Sequence, residues 1–157
     1  MKKYDKLMFI SHSDTCRGPM AEALMQGKLI LEDIIIDSKG MIVLFPEPVN
    51  QKAQEVLLQN GLTMEGHEAE PLTKDDFDDR TLMLTMEKAE KEKILEDYPD
   101  QAKNVYTIME YCGSEGDIYN PLGKDLPEYG KCFFILNEVI DKLATVIKED
   151  KDDSSWM

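Results

Sequence analysis

Four short runs of consecutive apolar residues constrain this chain most. They fall at residues 7–10, 33–37, 81–85 and 105–108, and each is separated from the next by helix-patterned or turn-rich sequence. Leu7-Met8-Phe9-Ile10 and Leu82-Met83-Leu84 do not alternate with polar residues, so both faces of such strands must be buried. Strands buried on both faces belong to a parallel sheet covered by helices on either side, an α/β architecture. Helices are expected over residues 19–30, with Pro19 in the first turn, and over 50–59, capped by Asn50 and ended by Asn60-Gly61. Two more are expected over 87–97, ending before Pro99, and over 128–148, where Phe133, Leu136, Val139, Ile140, Leu143 and Val146 form an apolar stripe. Residues 41–49, with Pro46 and Pro48, and residues 113–127 are expected as loops.

The 157 residues suit one domain spanning 1–157, and no repeat or linker divides them. The first apolar run is too short for a signal peptide or a membrane span, so a soluble cytoplasmic protein is expected. Cys16, Cys112 and Cys132 are odd in number and lack CxxC spacing, which argues against a disulfide framework or zinc site. Only His12 and His67 are present, and no metal or other cofactor is implied. A net charge of −14 repels nucleic acid and anionic membranes, so neither is expected as a partner. The ten methionines are read as core filling, Trp156 as part of a frayed terminus.

In parallel sheets ligands bind outside the carboxyl ends of the strands. The loop after the first strand is Ser11-His12-Ser13-Asp14-Thr15-Cys16-Arg17-Gly18, and Pro19 opens the helix that follows. Backbone N–H groups of such a loop can converge on an anion at the helix N-terminus, and Arg17 can close the site with a bidentate grip on phosphate. Residues 11–18 are therefore the candidate phosphate-binding set.

Ser11, Arg17 and Pro19, followed by Met20-Ala21-Glu22, resemble the Cys-x5-Arg-Ser/Thr-Pro signature of the low-molecular-weight protein tyrosine phosphatases. The resemblance continues in order along the chain. Ser38-Lys39-Gly40 is similar to a Ser-Ala-Gly after the second strand, His67 to a loop-supporting histidine before Leu72, and Asn120-Pro121 to an Asp-Pro pair. It implies a three-layer α/β/α fold with a four-stranded parallel sheet. It also implies phosphoryl transfer through a phosphocysteine, with Ser11, Arg17 and Asn120 at the catalytic positions and Ser38 and His67 supporting the loop.

The departures from the pattern concern chemistry. Ser11 replaces the cysteine nucleophile, and a hydroxyl is a poor nucleophile without a base. Asn120 replaces the general acid and cannot deliver a proton, a loss of about 10²–10⁴ in rate. Asp14 stands where the family usually has Asn, Gly18 where it has a hydroxyl residue, and Leu122 where an aromatic ring walls the substrate slot. Cys16 has no adjacent partner for a disulfide and is read as a small buried residue.

Three readings follow. The first is a catalytically inactive family member that binds phosphate, sulfate or phosphotyrosine at residues 11–18, with a protein partner still to be named. The second is an active tyrosine phosphatase, or an arsenate reductase-type relative, whose Cys was replaced by Ser11; an engineered replacement there would leave Asn120 unexplained. The third is an interaction protein reusing the fold, with Asp14 contacting His67 and Arg17 paired to carboxylates of its own chain.

Overall fold

A computed structural model describes residues 3–29 and 32–150. Four strands, β1 (Lys6–Ser11), β2 (Ile35–Gly40), β3 (Thr81–Thr85) and β4 (Val105–Thr107), form one sheet in the order β2-β1-β3-β4. Every pairing is parallel. The helices are α1 (Arg17–Gln26), α2 (Gln51–Gln59), α3 (Lys88–Asp97), α4 (Ile108–Tyr111) and α5 (Leu126–Glu149).

Alternate strand residues feed two cores. Leu7, Phe9, Leu82 and Leu84 join Met20 and Met25 of α1, Val56 and Leu57 of α2, and Leu136, Ile140 and Leu143 of α5. Met8, Ile10, Met83 and Val105 point the other way, onto Ile94 of α3 and Leu72. Each such fully buried side chain is worth about 1.5–3 kcal/mol in water removal. This is the expected three-layer arrangement, and the doubly apolar β1 and β3 are its central strands.

Several boundaries differ from expectation, each for a local reason. Helix α1 starts at Arg17 and ends at Gln26 with Gly27 following; the expected end at Ile30 lies outside the described residues, as does Trp156. Strand β2 runs later than residues 33–37. Its register against β1, from Lys6↔Ile35 to Ser11↔Gly40, carries Ser38-Lys39-Gly40 into the sheet. Strand β4 stops at Thr107, whose hydroxyl accepts the Glu110 N–H (3.0 Å) while the Glu110 carboxylate accepts the Thr107 N–H (2.7 Å). That reciprocal cap starts α4, a helix the apolar pattern did not predict. Helix α2 follows its sequence signal closely: Asn50 Oδ1 accepts the N–H of Lys52 and of Ala53.

In this strand order the chain first turns from β1 to β2 and then crosses to β3, so the topological switch point lies between β1 and β3. The loop after β1 opens there.

Candidate active site and phosphate loop

Residues 11–18 run from the end of β1 into α1, and their carbonyls are pinned outward. The Ser11 carbonyl accepts Met41 N–H (2.9 Å), His12 accepts Ile42 N–H (2.9 Å), Thr15 accepts Asn50 N–H (2.7 Å) and Cys16 accepts Met20 N–H (3.1 Å). The Asp14 carbonyl accepts His67 Nε2–H at 2.8 Å, and since a carbonyl only accepts, Nε2 carries the proton. Asp14 holds φ +59°, a left-handed turn that Asp tolerates better than most residues. Gly40 lets the loop lie close. A Cβ there would stand 2.6 Å from Val43, 3.0 Å from the Ser13 carbonyl carbon and 3.1 Å from Asp14 N.

The amides are treated differently from the carbonyls. Among the described residues, no acceptor of the protein takes the N–H of Ser13, Asp14, Thr15, Cys16 or Arg17. Asp14, Thr15, Cys16 and Arg17 are buried, and buried donors without partners cost about 1–3 kcal/mol each unless a ligand or water meets them. Ser11 Oγ, at the base of this loop, is also buried without a hydrogen-bond partner, as are Asp14 Oδ1 and Ser38 Oγ. Carbonyls held out and amides left in are the requirement for an anion nest at the N-terminus of α1.

Arg17 is 1% exposed and does not stand free. Its guanidinium donates to Glu87 Oε2 (2.7 Å), the Ile118 carbonyl (2.6 Å) and Glu90 Oε2 (3.4 Å). Glu90 also accepts the N–H of Met86 and of Glu87 through Oε1. Burial pushes its carboxyl up to about 7, with Arg17 pulling against the shift. Glu87, Glu90 and Ile118 were missed in the sequence. The signal was a carboxylate pair three residues apart at the start of the helix after β3, a capping-box spacing beside the switch point.

Behind the loop, Asp14 Oδ2 accepts the Glu70 N–H (3.1 Å) and lies 3.6 Å from His67 Nε2. Burial lifts the Asp14 carboxyl to about 6, opposed by Ser38, the Glu70 N–H and His67 and assisted by Asp37. Ser38 and His67 thus lie beside the loop from two separate elements. Ser13 and Thr15 share a 2.7 Å hydroxyl contact. Cys16 is 2% exposed, and burial raises its thiol far above the ordinary range, which leaves it inert.

Asn120 reaches the site from the loop before α5. It lines a cavity of about 500 Å³ with His12, Met41, Ile42, Glu87 and Glu90. Among the described residues, no Phe, Tyr or Trp lines this cavity. Asn120 Oδ1 is engaged locally, accepting the Leu122 N–H at 3.2 Å. Leu122 itself packs on the larger core.

A strand, an amide-lined loop and a helix at the switch point of a parallel sheet define an α/β protein with a candidate anion site. The family described as low molecular weight phosphotyrosine protein phosphatase matches residues 6–153, and this chain belongs to that family. It is 30% identical over 144 residues to the low molecular weight protein-tyrosine-phosphatase PtpB of Staphylococcus haemolyticus, covering 89% of this chain and 98% of that one. It is 29% identical over 149 residues to a protein-arginine-phosphatase of Bacillus subtilis, covering 92% and 98%. Among solved structures it superposes with TM-score 0.86 on a Cys-to-Ser mutant of the YwlE arginine phosphatase with a phosphorylated active-site serine. That pair is 30% identical, with 92% of this chain and 97% of the other covered. No helix among the described residues is long and apolar enough to cross a membrane.

Proposed function

We propose that this protein is a phosphate-binding member of the family that does not turn over phosphate esters. The observation that carries the reading is the loop itself. Five of its carbonyls have hydrogen-bond partners outside it and, among the described residues, the N–H groups of residues 13–17 have no protein acceptor, while Ser11 and Asn120 hold the positions of the family's nucleophile and general acid. Binding needs the amides, which belong to the backbone; turnover needs a thiolate and a carboxylic acid, which do not occur at these positions. The ligand is a phosphate group on a protein side chain, with free phosphate or sulfate as its minimal form. Relatives named for tyrosine and for arginine make both phosphorylated side chains the first probes.

Calorimetric titration with phosphate and vanadate, and turnover of phenyl phosphate, test the two halves. Binding at millimolar concentration with no turnover is expected, and Ser11→Cys combined with Asn120→Asp is expected to gain turnover. Turnover by the unaltered chain would put it among active phosphatases instead. A second reading rests on Arg17, which is committed to Glu87, Glu90 and the Ile118 carbonyl. If no anion binds, the protein reuses the fold as an interaction module with a closed loop.

A further inference from the structure

Asp14 is the one acidic residue of the loop, and its side chain is turned into the protein. Its own N–H is among the amides left without a protein acceptor, while the residue as a whole is 0% exposed. A Cβ on Gly18 would stand 3.1 Å from Asp14 Oδ1 and 3.0 Å from Ser11 Oγ, so the carboxyl meets the first turn of α1 beside the base of the loop. It is fixed there. Oδ2 accepts the Glu70 N–H at 3.1 Å and lies 3.6 Å from His67 Nε2, whose proton goes to the Asp14 carbonyl. The Ser38 hydroxyl is set against the carboxyl from β2. Asp14 Oδ1 and Ser38 Oγ are both buried and neither makes a hydrogen bond of ordinary geometry. A hydroxyl can donate to a carboxylate or accept from a carboxylic acid, so these surroundings suit either protonation state. Glu22 of α1 and Asp37 of β2 add like charge nearby, and the Glu70 carboxylate is turned away to Lys39.

We propose that the loop takes up a phosphate or sulfate dianion together with one proton, and that the proton resides on Asp14. The proposal rests on the phosphate-binding reading above and adds its regulation by pH. An anion met by the N–H groups of residues 13–17 places its charge beside a carboxylate that is held in position and shielded from water. Like charges brought together at a buried site raise the proton affinity of the carboxylate. Burial already lifts the Asp14 carboxyl to about 6, so a modest further rise carries it through neutral pH.

The proton comes from solvent, and no bond to phosphorus is made or broken. In the acid form Oδ2 still accepts the Glu70 N–H, and Oδ1–H becomes a donor beside the unpartnered Ser38 Oγ. That is what the neutral amide of an Asn would supply at this position. The coupling is reciprocal: the anion favours the proton by the same factor as the proton favours the anion. The loop therefore holds its anion in mildly acidic conditions and releases it as the pH rises, whereas a loop with Asn at position 14 holds it at either pH.

The test is calorimetric titration of the full chain with sulfate, which stays a dianion from pH 5.5 to 8, in pairs of buffers that differ in ionisation enthalpy. Uptake of about one proton per sulfate at pH 7 is expected, with affinity falling by about tenfold per pH unit above pH 6. This proton count needs no variant. Asp14→Asn keeps the side chain's shape and tolerates the left-handed turn; it is expected to bind sulfate without proton uptake and with an affinity that does not change with pH. Glu22→Gln, which removes the other buried carboxyl of this cluster, is expected to keep the uptake. Uptake that persists in Asp14→Asn, or that is lost in Glu22→Gln, would overturn the assignment to Asp14. Sulfate binding by the unaltered chain with no proton taken up would overturn the proposal and leave the phosphate-binding reading standing. No binding at any of these pH values would overturn both.

Discussion

Two loops meet at the carboxyl end of this sheet, and they have fared differently. In residues 11–18 four carbonyls are anchored by partners from other segments and a fifth, of Cys16, by Met20 of α1, while among the described residues the amides of residues 13–17 have no protein acceptor. In residues 118–123 the decisive side chain, Asn120, makes only a local bond to the Leu122 N–H, and neighbouring Tyr119 donates to the Glu128 carbonyl. Arg17 links the loops through the Ile118 carbonyl. The groups that an anion nest needs are backbone N–H groups, which side-chain changes barely touch. Proton delivery sits on one side-chain atom and disappears with one substitution.

Removing the link should have the largest effect. Arg17→Met deletes the cation that pairs with Glu90, a carboxylate 7% exposed. Breaking a buried pair on one side costs about 3–5 kcal/mol, to be read as a fall in the urea midpoint at neutral pH. A cost below about 1 kcal/mol would mean that the two loops are stabilised independently.

Gly40→Ala addresses the first loop alone. The new Cβ meets Val43 at 2.6 Å and the Ser13 and Asp14 backbone at 3.0 and 3.1 Å. Overpacking of this kind costs about 1–3 kcal/mol, and phosphate affinity should fall with stability because the displaced atoms are the loop's own. Unchanged affinity in the calorimeter would show that the loop does not depend on its packing against β2.

This contrast also explains what could be read in advance. The sheet was legible because β1 and β3 are apolar on successive residues, a pattern only a doubly covered strand satisfies. The loop was legible because it follows the first strand of a parallel sheet, where ligands bind, and runs through small residues into a helix start, where backbone N–H groups can converge. The direction of Arg17 was not, because the choice between an anion and Glu87 or Glu90 depends on partners seventy or more residues away. The opening of α4 was hidden for the opposite reason: a local Thr107–Glu110 cap overrode an apolar run that looked like continuing strand.

Titration separates the loops by a smaller effect. Burial raises Asp14 from 3.8 to about 6 and Glu22 from 4.5 to about 7 behind the first loop, and Glu90 from 4.5 to about 7 beside the second. Between the unfolded and folded values the native chain binds more protons than the unfolded chain. This contribution is therefore fully present below about pH 4 and is lost as pH rises through 6 to 7. Glu70 and Glu110 shift the opposite way but lie near the surface beside Lys39 and Lys91. The melting temperature should be higher at pH 5 than at pH 8, and Asp14→Asn should flatten the profile. A maximum at pH 8 would place the buried carboxyls in more polar surroundings than these.

The smallest effect should come from the position that carries the family's acid. Asn120 is partly exposed, makes one side-chain hydrogen bond among the described residues and lines the cavity. Asn120→Asp should change stability by less than about 0.5 kcal/mol, and an aspartate Oδ1 can still accept the Leu122 N–H. It should not give turnover of phenyl phosphate while Ser11 remains, because an acid speeds the departure of the leaving group only after a nucleophile can attack. In the Ser11→Cys background the same change should raise the rate by about 10²–10⁴-fold, measured against Ser11→Cys alone. A comparable gain with Ser11 in place would mean that a competent nucleophile is already present and that only the second loop silences the protein.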